Sequence, residues 1–216
     1  MYKVDLHTHS EASPDGGITF EQYVKAIDHE VLDFIAVTDH NTISLARDLH
    51  KAMGKKIIIG EEITTKQGEI IGLFLKNVVK PHQMLIDAVK EIKTQGGVVY
   101  LPHPFETVRH GISEADLLTI ADYIDIVEVY NGRAFVQNKG PQATTWARIH
   151  EKACAASSDA HGIKGLGSAY TDIKEEPTAK TLRELIRHGH CSMQRPPLRT
   201  LLYPKANKLK RVFKKH

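Results

Sequence analysis

The sequence predicts an α/β fold of parallel strands joined by crossover helices, either a closed barrel or an open doubly wound sheet. Two observations predict it: short apolar runs alternate with amphipathic segments along the chain, and a polar cluster follows nearly every run. The runs 2–6 (YKVDL), 33–38 (DFIAVT), 56–60 (KIIIG), 97–101 (GVVYL), 124–130 (IDIVEVY) and 153–157 (ACAAS) have the length and composition of buried strands. Helices are expected near 19–28, 44–53, 81–95, 113–123, 140–152 and 178–188, where apolar residues recur at helical spacing. Thr19 with Gln22 three residues on, and Ser113 with Asp116, are start signals, and Pro141 suits an early helical position. Residues 69–75 (EIIGLFL) follow a Lys66-Gln67-Gly68 turn and read as a hairpin arm on the third strand. No internal repeat or low-complexity segment is present. Pro196 and Pro197 mark the end of the compact body, so a single domain over 1–198 and a basic tail over 199–216 are expected.

At 216 residues, with 41% hydrophobic and 25% charged residues, the chain has the composition of a globular domain, so neither disorder nor a coiled coil is indicated. No apolar run reaches the length of a membrane span, and Asp5 and His7 interrupt any N-terminal secretory core, so a cytoplasmic location is expected. Cys154 and Cys191 lie far apart in no C-x-x-C motif, which argues against a disulfide framework or a thiolate zinc site. The formal charge of +3 hides an asymmetry: Lys205, Lys208, Lys210, Arg211, Lys214 and Lys215 fall in the final stretch with no acid among them. Leu209, Val212 and Phe213 lie beside them at helical spacing. Such a tail is either solvated or self-docking, or it meets a polyanion such as a short nucleic acid or an anionic lipid.

The polar clusters carry the chemistry. Asp5, His7 and His9 follow the first predicted strand, Asp39 and His40 the second, and Glu61 and Glu62 the third. His103 follows the fourth, Glu128 and Asn131 end the fifth, and Asp159 and His161 follow the sixth. In a parallel barrel these strand ends converge on one face. Carboxylates and imidazoles gathered there need a neutralising partner, and divalent cations provide one. The mixed donor set fits Zn, Mn or Fe better than Ca. On extended backbone the two histidines of H-x-H point to the same side, so His7 and His9 can reach one ion. Arg133 and Arg109 lie just beyond the ends of two strands, either as phosphate-binding guanidinium groups or as surface arginines. His29, His50, His82, His150, His188, His190 and His216 fall in helical or terminal segments and read as surface or helix-end imidazoles. His110 lies in a loop, Phe105 to Gly111, that could overhang the site, and Trp146 reads as core.

At these clusters the chain resembles the PHP family, named for polymerase and histidinol phosphatase. The resemblance covers residues 3–170 and rests on Asp5-Leu6-His7-Thr8-His9-Ser10, Thr38-Asp39-His40-Asn41, Pro102-His103-Pro104 and Ser158-Asp159-Ala160-His161. It implies a distorted (β/α)7 barrel with a two- or three-metal phosphoesterase site. By resemblance, His7, His9, Glu62 and Asp159 hold one ion, and Glu62 bridges to a second ion bound by His103. Asp15, His40 and His161 hold a third. Glu62 rather than Glu61 matches the family's Gly-x-Glu-hydrophobic-Ser/Thr motif, here Gly60-Glu61-Glu62-Ile63-Thr64. Where some members place a histidine ligand on strand five, this chain offers Glu128 and Asn131, so Glu128 joins the candidate ligands. Asp39 is expected to orient an imidazole.

The expected activity is metal-dependent hydrolysis of a small phosphomonoester or nucleotide, including 3′-5′ bisphosphates and short oligonucleotide ends, by a metal-activated water. A histidinol-phosphatase-like enzyme, a non-catalytic metal-binding module and a C–N hydrolase on the amidohydrolase plan are the alternatives. Against the first of these stand the short chain and the missing strand-five histidine. The near-complete ligand set counts against the second, and the absent mid-barrel lysine against the third.

Overall fold

In a computed structural model, which describes residues 1–135 and 137–214, the predicted alternation builds a nine-stranded sheet curled into a nearly closed barrel. The elements, in chain order, are β1 (Tyr2–Asp5), α1 (Phe20–Asp28), β2 (Phe34–Val37), α2 (Ser44–Met53), β3 (Ile57–Thr65), β4 (Gly68–Leu73), α3 (Leu85–Thr94) and β5 (Val98–Leu101). They continue with α4 (Glu114–Ile120), β6 (Ile126–Asn131), α5 (Gly140–Ile149), β7 (Ala153–Ser157), β8 (Ala169–Ile173), α6 (Leu182–Arg187), β9 (His190–Met193) and α7 (Tyr203–Lys214). The sheet order is β7-β6-β5-β4-β3-β2-β1-β8-β9. Parallel pairs β1/β2, β2/β3, β5/β6 and β6/β7 carry the crossover helices, as alternation requires.

The helix starts follow local chemistry. Thr19 caps α1 by accepting from Gln22 N, and the Gln22 side chain accepts in return from Thr19 N, the expected capping box. Ser113 accepts from Asp116 N and starts α4. The hairpin at 66–68 is present, but β4 is no outlying arm. It inserts antiparallel between β3 and β5, with Glu62 opposite Ile71 and Ile71 opposite Tyr100.

Two strands were not foreseen. β8 (AYTDI) pairs antiparallel with β1, and β9 (HCSM) pairs antiparallel with β8. Closure between β7 and β8 runs through a side chain: Ala156 N donates to Thr171 Oγ1 at 3.0 Å. The helix expected from 81 begins at Leu85, because His82 takes a left-handed backbone (φ 59°) that no helix accommodates.

Alternate strand residues split the core into layers. Val4, Ala36, Ile58, Ile71, Tyr100, Ile126 and Ala155 form one cluster, with Leu182 and Ile186 of α6 packed on it. Their strand neighbours face the outer helices: Ile35, Val37 and Ile57 pack with α1 and α2, and Val99, Leu101 and Val127 with α3, α4 and α5. Each fully buried isoleucine among them contributes about 1.5–3 kcal/mol. That packing fixes the strand ends rigidly, which is what a constellation of ligands needs.

Among the described residues, no helix is long and apolar enough to cross a membrane. Residues 198–214 form a short 3-10 turn and α7, which lies against the polar cluster rather than apart from the barrel: Asn207 Nδ2 donates to Asp15 O at 2.9 Å and to His161 O at 3.0 Å. Lys215 and His216 lie outside the described residues.

Candidate metal centre

The strand ends bring five imidazoles and three carboxylates into contact. His7 and His9 sit on extended backbone after β1 with their Nε2 atoms 3.0 Å apart. The intervening Thr8 points the other way, donating its hydroxyl to Ala36 O at 2.7 Å, which locks the alternation that aims both histidines inward. Glu62, near the end of β3, is the hub. Its Oε2 lies 3.5 Å from His7 Nε2, 3.2 Å from His9 Nε2 and 3.3 Å from His40 Nδ1, and its Oε1 lies 3.1 Å from His103 Nε2. Asp159 Oδ1 lies 3.4 Å from His9 Nε2, 3.6 Å from His7 Nε2 and 3.4 Å from His161 Nδ1. Asp15 Oδ1 is 3.6 Å from both His40 Nε2 and His161 Nε2. His103 (φ 28°) and Asp159 (φ 50°) have left-handed backbone, a local strain that the surrounding packing holds in place.

Among the described residues, three groups could each hold an ion: His9, Asp15, His40 and His161; His7, Glu62 and His103; and His7, His9 and Asp159. In every group the donor atoms lie within 4.8 Å of one another. The fit is chemical as well as spatial. His9 Nδ1, His103 Nδ1 and Asp159 Oδ1 are buried without a hydrogen-bond partner, and the two facing Nε2 atoms of His7 and His9 are both natural metal donors.

The protonation pattern carries the same message. Burial works to lower the His9 pKa, but the Asp159 and Glu62 carboxylates, 3.4 Å and 3.2 Å away, hold it up at about 9. His7 is also raised against its burial by Asp159, Glu62 and Glu128. His161 is pushed down to about 3 by burial and then by His9 and Arg133, which leaves it neutral. In the ion-free protein a proton on His9 thus supplies the positive charge that the carboxylates require, and a metal ion must displace it. Ion affinity is therefore expected to rise with pH until His7 and His9 have both lost their protons. With His7 and His9 both raised, the apparent Kd falls about tenfold or more per pH unit between about pH 6 and pH 8. Competition with a chelating indicator measures this, and an affinity flat with pH would remove His9 from the ligand set.

The remaining site candidates fall into distinct places. Glu128, expected among the ligands, is in none of the three groups. Its Oε1 takes His7 Nδ1 at 3.1 Å and the Tyr100 hydroxyl at 2.9 Å, and its Oε2 takes His103 N at 2.7 Å and Asn131 Nδ2 at 2.8 Å. With four donors on one carboxylate, Glu128 stands behind His7 and leaves Nε2 as that ring's free donor. Asn131 also ties elements together, its Oδ1 accepting from Arg109 Nη1 and Arg133 N at 2.8 Å each.

Among the described residues, Asp39 makes no hydrogen bond to an imidazole. Its two oxygens accept from Ser10 N at 2.7 Å and Ser10 Oγ at 2.5 Å, which fixes the chain just after His9. Asp5 does the same at the other side, accepting from Ser158 N at 3.1 Å and Ser158 Oγ at 2.5 Å. Burial pushes the Asp5 carboxyl up to about 7 despite these bonds.

Both arginines reach the cluster. Arg109 is locked, donating from Nη1 to Asp159 Oδ2 at 2.6 Å and from Nε and Nη2 to Glu106. Arg133 makes only long contacts, its Nη1 3.5 Å from Asp159 Oδ1 and 3.4–3.5 Å from the His161 ring nitrogens, and its buried Nε has no partner. A cleft of about 530 Å³ opens over the cluster, lined also by His110, Lys205 and Lys208. The loop histidine does overhang the site, whereas His150 stacks on the buried Trp146 at 4.2 Å and His188 pairs with Glu184 at the surface.

One acid at the site escaped the sequence reading. Glu69 is the second residue of β4, 7% exposed, with its oxygens 3.7 Å from His40 Nδ1 and 3.9 Å from His103 Nε2. A carboxylate opening the otherwise apolar run EIIGL was the available signal.

A barrel with an imidazole–carboxylate cluster at its strand ends, able to hold divalent ions, defines a class of metal-binding α/β barrels. The family described as PHP domain matches residues 5–115, and one described as PHP-associated matches residues 140–191. The chain belongs to the PHP family, whose members use divalent metals. It is similar to an uncharacterized protein of Methanocaldococcus jannaschii, MJ0417, at 34% identity over 182 residues, covering 80% of this chain and 71% of that one. A second uncharacterized protein of that organism, MJ1587, is 30% identical over 149 residues, covering 63% and 87%. Among solved structures, a two-domain protein from Bacteroides vulgatus containing a predicted PHP-like metal-dependent phosphoesterase superposes with a TM-score of 0.74 at 21% identity. That match covers 96% of this chain and 69% of that one.

Proposed function

We propose that the protein hydrolyses a small phosphomonoester or nucleotide, with 3′-5′ bisphosphates and short oligonucleotide ends within its range. The observation that carries this reading is Glu62, set within 3.5 Å of four imidazoles beneath a cleft edged by two arginines. His7, His9, Glu62 and Asp159 would hold one ion, Glu62 and His103 a second, and Asp15, His40 and His161 a third; three overlapping donor groups support this, one joining His7, Glu62 and His103, one joining His7, His9 and Asp159, and one joining His9, Asp15, His40 and His161. Bound divalent ions supply an activated water and grip the phosphate oxygens. Arg133, free at Nε, turns its guanidinium onto a phosphate oxygen, while Arg109 remains paired with Asp159 and Glu106 and holds the carboxylate still. Glu128 acts by orienting His7, and Asp39 and Asp5 by fixing the backbone that carries the ligands.

The test is metal content of the purified protein, followed by phosphate release from nucleoside mono- and bisphosphates, histidinol phosphate and short RNA with added Mn²⁺. Release from a nucleotide is expected, lost on chelation and restored by Mn²⁺. No release from any of these substrates by metal-replete protein would overturn the enzyme reading in favour of a binding module.

A further inference from the structure

Helix α7 docks in an unexpected orientation. Its apolar stripe of Leu209, Val212 and Phe213 stays 58–71% exposed, although burying it would be the stabilising choice. Instead the helix turns Lys205 and Lys208, one helical turn apart, toward the cleft over the cluster. The docking is specific. Asn207 bonds the carbonyls of Asp15 and His161, residues of two different ligand-bearing loops. The Tyr203 ring lies so close to Gly162 that a Cβ there would come within 2.6 Å of it. Lys208 Nζ stands 3.6 Å from Asp15 Oδ2. Cations bound at Asp15 would repel this lysine, so two lysines fixed at the mouth of a metal centre call for an anion between them and the ions.

We propose that Lys205 and Lys208 form a second anion subsite, so that the preferred substrate carries another anionic group, such as a second phosphate, besides the one at the metal cluster. This rests on the phosphoesterase reading for the identity of the first group. The placement of the lysines stands independently of it. Both lysines are solvent-exposed at the rim of the cleft, which suits them to a group on the leaving portion of the substrate rather than to the reacting phosphate.

The test uses the full-length Mn²⁺-loaded protein and its K205A/K208A and K205R/K208R variants, with adenosine 3′,5′-bisphosphate and adenosine 5′-monophosphate as probes. Binding is measured by calorimetry, and turnover as kcat and KM. The preference for bisphosphate over monophosphate is expected to fall about tenfold or more in K205A/K208A, through KM rather than kcat, and to be largely restored in K205R/K208R. A short 5′-phosphorylated oligonucleotide is a second arm that shows whether the extra phosphate is recognised on a mononucleotide or along a chain. Equal weakening of both nucleotides, or no change in the preference, would overturn the subsite. If wild-type protein binds the probes but releases no phosphate, the phosphoesterase reading fails while the binding comparison still decides the subsite.

Discussion

Asp159→Asn is expected to lower phosphate release by a factor of about a thousand or more, because it removes several kcal/mol of charge stabilisation from the reacting centre. Asp159 serves two masters. Its Oδ1 sits among His7, His9 and His161, and its Oδ2 receives Arg109 at 2.6 Å and Asn131 Nδ2 at 3.2 Å. Asparagine keeps the shape but removes the anion, so the cluster loses an anionic donor and half-buried Arg109 keeps only Glu106 as its ion-pair partner. Breaking one side of a buried ion pair costs about 3–5 kcal/mol, so a lower melting temperature should accompany the loss of activity. Metal content measured on the folded fraction separates the two effects. Wild-type turnover with wild-type metal content would take Asp159 out of the centre.

The parts of the site that were legible in the sequence share one property: they lie at the C-terminal ends of parallel strands, where chain order alone predicts convergence. His7, His9, His40, Glu62, His103, Asp159 and His161 all meet there. Glu69 was missed because β4 runs antiparallel, so the start of the strand, not its end, arrives at the cluster. Strands β8 and β9 were missed for want of an apolar signature. β9 has no buried residue, and β8 alternates buried residues with half-exposed Tyr170 and Asp172. The tail misled in a third way. Leu209, Val212 and Phe213 spaced as a helix were a correct sign of helix, but the docking face is set by Tyr203, Pro204 and Asn207, which no hydrophobic period marks. Asp39 beside His40 read as a partner of an imidazole, yet its real partner is Ser10, 29 residues away in sequence. Adjacency along the chain carries no information about such a bond.

Glu128→Gln is expected to weaken ion binding about 10- to 100-fold, the usual cost of disturbing a residue that orients a metal-binding histidine. The reason is a count of donors. Glu128 accepts from His7 Nδ1, the Tyr100 hydroxyl, His103 N and Asn131 Nδ2, which fills the four acceptor positions of a carboxylate. A glutamine replaces one of its two oxygens by an amide that donates, so two of these buried donors lose their acceptor. Whichever end turns, either His7 or His103 is released from its position, and both rings belong to the group built on Glu62. The same variant distinguishes orientation from ligation. If Glu128 orients His7, saturating metal restores the full number of bound ions and only the Kd is weaker. If Glu128 is itself a ligand, the number of ions bound at saturation falls. Equilibrium dialysis against increasing Mn²⁺, with metal quantified per protein, reads both quantities from one curve, and an unchanged Kd would show that His7 needs no partner at Nδ1.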